Sequence, residues 1–129
     1  VRSLLERLRP YFDEATATSF LDDTTTTNVL VSDGRLSGIV DVDEVCYGDP
    51  LFTLGLTQML LMHAGHDLDY TTAWSHTLML SEEQHQLVCS YEALFGMVFL
   101  GELGQQSNAD VAAPVDPTVV SRLLRRSRV

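Results

Sequence analysis

Lysine is missing from this 129-residue chain altogether, and between Arg35 and Arg122 there is neither lysine nor arginine. Twelve aspartates and glutamates fall in that same interval, and the formal net charge is -10. A surface of this sign repels nucleic-acid phosphates and anionic membranes, so neither is expected as a partner. It attracts cations instead: metal ions, polyamines or an amino-bearing substrate. Cysteine is scarce too. Cys46 and Cys89 stand far apart with no CxxC spacing, which excludes a disulfide framework. No apolar run of about 18 residues occurs, and no basic segment leads into an apolar one, so neither a membrane span nor a secretion signal is expected. Apolar residues nevertheless make up 45% of the chain, enough to build a core. The expectation is one cytoplasmic domain over residues 1–129.

The apolar pattern places the elements. Leu4, Leu5, Leu8 and Phe12 recur at helical spacing, giving an amphipathic helix from Val1 through Phe12. Thr16 to Ser19 reads as a loop, and Phe20-Leu21 as a short buried strand or anchor. Val29-Leu30-Val31, Ser32-Asp33-Gly34-Arg35 and Leu36 to Val42 read as a β-hairpin turned by Asp-Gly. After Gly48, Asp49 and Pro50 suit the start of a helix that Gly65 ends. A shorter helix covers Tyr70 to Leu80. Ser81 with Gln84 then forms a capping box for the longest one, running to Leu103. A polar loop from Gly104 to Pro114 precedes a last helix that starts at Asp116-Pro117 and carries Val120, Leu123 and Leu124. Arg122, Arg125, Arg126 and Arg128 cluster on it as a solvated helix end or partner contact. The fold class is α+β, mostly helical, with one β-hairpin.

Chemistry is concentrated around that hairpin. Asn28 stands where it begins and Asp41 near where it ends, and antiparallel strands bring such ends together. Asp22 and Asp23 sit on the loop that feeds the first strand, and Asp43 should share a side with Asp41 by strand alternation. A free carboxylate, an amide oxygen and a second carboxylate at one mouth suit Mg²⁺-dependent phosphoryl transfer. Mg²⁺ prefers hard oxygen ligands, and a further carboxylate can orient an incoming hydroxyl. The plainer reading is a hairpin whose ends are capped locally by Asp and Asn.

The run Asp23-Thr24-Thr25-Thr26-Thr27-Asn28-Val29-Leu30-Val31, then Ile39-Val40-Asp41, then Gly48-Asp49-Pro50 resembles the aminoglycoside phosphotransferase family of the protein-kinase-like superfamily. The matching motifs span Leu21 to Phe52, and the helices that follow suit the same C-terminal lobe. The resemblance implies a transferase moving the γ-phosphoryl of ATP or GTP to a hydroxyl of a small, amino-bearing molecule. It places Asp23 on the catalytic aspartate, and Asn28 and Asp41 on the Mg²⁺ ligands that meet the nucleotide; Asp43, two residues past Asp41, is either an assisting ligand or a solvated acidic side chain. Asp49 is implied as a helix cap and hydrogen-bond hub. Two departures stand out: Leu21 replaces a buttressing histidine, and Asp22 replaces a glycine. The lysine–glutamate pair of a nucleotide-gripping N-terminal lobe has no counterpart here. The chain is therefore expected to be a C-terminal lobe with little or no kinase activity alone.

Other readings compete. Gly38-Ile39-Val40-Asp41-Val42-Asp43 is similar to the first motif of haloacid-dehalogenase-like phosphatases, with Asp41 as nucleophile and Asp43 as acid/base. That fold needs a lysine and further alternating strands, and the sequence after Gly48 offers only helices. A non-enzymatic remnant, self-associating through the face that would meet the missing lobe, is a second alternative. His63 and His66 are a weak zinc pair without further ligands. Asp67, Asp69, Glu92 and Glu102 are candidates for receiving a cationic substrate. Met59, Met62, Met79, Met97, Phe95 and Phe99 are expected to fill the core, and Cys46 and Cys89 to be buried thiols.

Overall fold

Leu4 and Leu8, four residues apart, are the buried side of the first helix, α1 (Arg2–Glu14), and turn inward beside Ala93. The computed structural model describes residues 2–43, 45–109 and 118. The remaining elements are β1 (Thr18–Leu21), β2 (Val29–Ser32), β3 (Arg35–Ile39), β4 (Val45–Gly48), α2 (Leu51–Ala64), α3 (Asp69–Thr77) and α4 (Glu82–Ala109). Among the described residues this is an α+β arrangement of four helices and two small antiparallel sheets.

The hairpin pairs β2 with β3. Asp33 and Gly34 both take positive φ, 52° and 71°, the two-residue turn whose twist matches that of the strands. A bulge between Leu30 and Val31 shifts the register within it. A second ladder was not expected. β1 runs antiparallel to β4, with Thr18 opposite Gly48 and Leu21 opposite Val45, so the hairpin is nested between two outer strands. Phe20-Leu21 is thus a half-buried strand rather than a lone anchor. β3 stops at Ile39 instead of continuing to Val42, because Asp41 turns to φ 57° and leaves the extended region.

Helix ends follow their local signals. Asp49 Oδ1 accepts the N–H of Leu51 at 3.0 Å at the start of α2. Gly65 at φ 75° closes that helix, with the N–H of His66 reaching back to the carbonyl of Leu61. Ser81 and Gln84 form the reciprocal capping box: Ser81 N–H donates to Gln84 Oε1 at 2.9 Å, and Gln84 N–H to Ser81 Oγ at 3.3 Å. Helix α4 continues to Ala109, past the expected stop at Leu103, so at least the first part of the supposed polar loop is helical. The last expected helix and its arginine cluster lie outside the described residues.

The core forms where α2 crosses α4: Leu51 and Leu54 meet Val88 and Tyr91, with Phe52 and Phe95 in an edge contact at 4.6 Å. Gly55 makes this crossing possible, since a Cβ there would lie 2.5 Å from Tyr91 Cβ and 3.1 Å from the Val88 carbonyl. Met59 is buried as expected, but Met79 is 86% exposed, on a turn of φ 51° beyond α3. Cys46 and Cys89 are only half-buried.

One carboxylate ties this core to the sheets. Asp49 Oδ2 accepts hydrogen bonds from Tyr11 of α1 at 2.6 Å and from Tyr91 of α4 at 2.9 Å. Burial, and then the hydrogen bond and charge of Asp49, push both phenols well above their ordinary value of 10.0.

Replacing Gly55 by alanine forces the two backbones apart. Although alanine is the better helix former, overpacking dominates, and a net loss of about 1–3 kcal/mol is expected from urea denaturation. The raised phenol values also set a pH dependence. The folded state keeps the tyrosine protons where the unfolded chain releases them, so stability holds below about pH 10 and falls as pH rises beyond it. Tyr11→Phe should flatten that alkaline fall in melts recorded from pH 8 to 11; an unchanged slope would show that the Tyr11 proton is not linked to folding.

Candidate active site

Leu21 and Val45 are register partners, so the residues after one and before the other emerge at the same end of the β1–β4 ladder. Those residues are Asp22 and Asp23 on one side and Asp43 on the other. The hairpin base closes onto the same place. Val29 pairs with Ile39, and Val40 N–H donates to the Asn28 carbonyl at 2.9 Å, which sets Asn28 beside the segment that enters Asp41. Two nested pairs of strands therefore bring Asp22, Asp23, Asn28, Asp41 and Asp43 together from separate parts of the chain.

The connecting threonines hold the loop shut. Thr25 is buried, its Oγ1 lies 2.8 Å from Thr27 Oγ1, and its carbonyl accepts the N–H of Asn28 at 3.0 Å. Thr53 of α2 donates its hydroxyl to the Leu21 carbonyl at 3.2 Å, fixing the start of the loop to the core. The side chain of Asn28 spans the loop, its Nδ2 donating to the Asp23 carbonyl at 2.9 Å. That bond commits the amide nitrogen and leaves the amide oxygen as the atom free to meet a cation.

Asp22, Asp23, Asp41 and Asp43 line a cavity of about 380 Å³, closed on one side by Leu56 and Leu60 of α2. Asp23, Asp41 and Asp43 are exposed, and Asp22 is half-buried. The Asp41 carboxyl is held above its usual range, first by a hydrogen bond with Asp43, then by that neighbour's charge, with Asp23 adding to the effect. Asp41 and Asp43 do come together, but not by strand alternation: the positive φ of Asp41 breaks the strand and brings them into contact. A hard cation such as Mg²⁺ prefers oxygen donors of this kind, and Asn28, Asp41 and Asp43 are the residues that could hold one. Among the described residues, no three His, Cys, Asp or Glu side chains form a metal-holding group by themselves, so such a site depends on the Asn28 oxygen or on ligands from a substrate.

Other candidates fall elsewhere. Glu92 is 1% exposed and accepts a hydrogen bond from Gln58 Nε2 at 2.5 Å, so it belongs to the α2–α4 contact. Asp67 Oδ1 accepts the N–H of Asp69 at 3.1 Å at the start of α3. His63 stacks edge-on against Phe99 at 4.7 Å. Both sheets are antiparallel, and after β4 the described residues are helices and turns, which does not supply the alternating strands of a haloacid-dehalogenase-like fold. Asp22, singled out from sequence beside Asp23 but given no role there, forms part of the cavity wall. Leu56 and Leu60 were missed because nothing local distinguishes them from other apolar positions of α2.

With the geometry in view, comparison with known proteins adds one finding. The model of a family described as the phosphotransferase enzyme family matches residues 2–84, from α1 to the first turn of α4. No curated protein and no solved structure matches the chain significantly.

The coupling of Asp41 to Asp43 has a direct readout. In Asp43→Asn, the carbon-13 titration midpoint of the Asp41 carboxyl should fall toward the ordinary carboxylate value of 3.8. A midpoint that stays in place would mean that Asp43 does not hold it up.

Proposed function

The chain belongs to the phosphotransferase enzyme family, and from that premise we propose that it is the C-terminal lobe of an ATP- or GTP-dependent small-molecule kinase. The reaction transfers the γ-phosphoryl group to a hydroxyl of an acceptor that carries amino groups, of which an aminoglycoside is one example. The observation that carries this reading is the gathering of Asp23, Asp41 and Asp43 on one cavity, with Asn28 bonded to the Asp23 backbone.

In this reading Asp23, exposed at the cavity, orients the acceptor hydroxyl and takes its proton as the oxygen attacks. Asn28, Asp41 and Asp43 are the residues that would hold the cation, while the Asn28 amide N–H keeps the Asp23 backbone in place. Bound Mg²⁺ would neutralise the phosphate charge and hold its oxygens for transfer. Leu56 and Leu60 form an apolar wall of the cavity.

The chain has no lysine to grip the nucleotide phosphates, so that cation has to come from a companion lobe. Apolar strand residues offer it a seat: Val31 and Leu36, opposite one another in the hairpin, and Val45 and Tyr47 on β4 are all more than half exposed. The same surface favours a second reading, a non-enzymatic remnant that associates through these strands.

The two readings separate in solution. Titrating Mg²⁺ with a non-hydrolysable nucleotide should move the amide resonances of Asp23, Asn28 and Asp41, and Asp41→Asn should abolish that response. Silence at all three favours the remnant. Phosphoryl transfer by this chain alone should be negligible, and robust turnover of ATP with a hydroxylated acceptor would overturn the need for a companion lobe.

A further inference from the structure

Two buried polar atoms have no task in the phosphotransfer reading. Thr57 of α2 is fully buried, and among the described residues its Oγ1 has no hydrogen-bond partner. Asp22, the residue after β1, is half-buried, and its Oδ1 is likewise closed to solvent and unpartnered. The helix repeat brings the two to the same region. Thr53, Leu56, Thr57 and Leu60 follow one another at steps of three, one and three residues along one face of α2. Thr53 already holds the Leu21 carbonyl, one residue before Asp22, at 3.2 Å. Leu56 and Leu60, on either side of Thr57, line the cavity together with Asp22. The local remedy is not taken. Thr77 and Ser90 donate to the carbonyl four residues back in their own helices, at 2.8 Å each, whereas Thr57 does not.

We propose that Thr57 is a positioning residue: its hydroxyl donates to Asp22 Oδ1 and ties the loop that carries Asp23 to α2, one turn beyond the Thr53 bond. The two atoms are complementary, since a carboxylate oxygen only accepts and a hydroxyl has one hydrogen to give. Apart, as they stand in the structure, each carries the penalty of a buried group without a partner; joined, both are satisfied. A turn of the threonine between its two common helical rotamers, or of the carboxyl about its own bond, closes the pair. Neither atom has surface for a solute to reach, so its partner comes from within the fold. The third buried unpartnered atom among the described residues, His63 Nδ1, is six residues further on in α2, in a side chain packed against Phe99 of α4. The consequence for Asp23 rests on the phosphotransfer reading of the cavity; the bond itself does not.

Urea denaturation of the full chain decides the pairing by the sign of one effect. Valine has the shape of threonine without the hydroxyl, and the two are close in helix propensity. If Thr57 stays unpaired, Thr57→Val removes a buried orphan and leaves the folding equilibrium constant unchanged or raised. The proposal expects a fall of about tenfold or more, as for loss of a hydrogen bond to a charged group. In the Asp22→Ala background the same substitution should no longer lower it, and Thr57→Ser, which keeps the hydroxyl, should lose less than Thr57→Val. A Thr57→Val chain as stable as the parent, or equal losses in the two backgrounds, overturns the proposal. If Thr57→Val alone does not fold, its folding in the Asp22→Ala background supports the pair, and failure in both overturns it. The positioning role is read at the Asp23 amide during the Mg²⁺–nucleotide titration. Half-saturation should rise about threefold or more in Thr57→Val, as the binding-competent loop becomes less populated, and return in Thr57→Ser. A parent response that Thr57→Val leaves unchanged sinks this inference alone. Coupled stabilities with no response in the parent chain support the bond and sink the phosphotransfer reading instead.

Discussion

The structure turns on the carboxylate of Asp49. It lies one residue beyond β4, and its two oxygens reach three helices: Oδ1 receives the first N–H of α2, and Oδ2 the phenols of Tyr11 in α1 and Tyr91 in α4. A half-buried carboxylate with three donors is a satisfied group rather than a reactive one. It fixes where β4 ends relative to the core. Since β4 pairs with β1, it also fixes where Leu21 ends and the loop of carboxylates begins. The Thr53–Leu21 bond repeats the restraint from the middle of the fold. The cavity is thus assembled from short, exposed segments, but its frame is anchored in the helical core.

Within that frame the loop residues divide the work of holding shape. Thr25 and Thr27 satisfy one another, the Asn28 backbone closes a turn onto Thr25, and the Asn28 side chain secures the Asp23 carbonyl. Asp41 stands in a left-handed conformation that costs a non-glycine residue of order 1 kcal/mol or more. The strand could have continued through Val40, Asp41 and Val42, all acceptable there, yet it breaks at Asp41. The break brings Asp41 to Asp43 and faces both toward Asp23, an arrangement that raises the Asp41 carboxyl. Local strain and like-charge crowding at one place are features of a site held for binding rather than for stability.

Sequence reasoning reached the features whose cause is local. Asp33-Gly34 fixes its turn by two positive φ values, Gly65 stops α2 by one more, and Ser81 with Gln84 satisfies helix donors reciprocally. The β1–β4 ladder was not legible, because each strand has four residues and their burial does not alternate cleanly on both sides. Its pairing comes from the nested hairpin and the helices on either side, which no window of sequence contains. The same holds for Met79, apolar by composition but placed on a turn outside the core, and for α4, which runs past Leu103. Asn28 and Asp41 could be placed together from the hairpin alone. Bringing Asp22, Asp23 and Asp43 to them required the second ladder.

Four carboxylates around one cavity in a chain without lysine raise a question of balance. Exposed charges such as those of Asp23 and Asp43 are screened by water and salt, and their repulsion costs little. The hydrogen bond and charge of the neighbouring Asp43 hold the Asp41 carboxyl above its ordinary range. Asp22 Oδ1 is closed to solvent and, among the described residues, has no hydrogen-bond partner. The cavity thus gathers exposed carboxylates whose repulsion water screens and one oxygen that water does not reach.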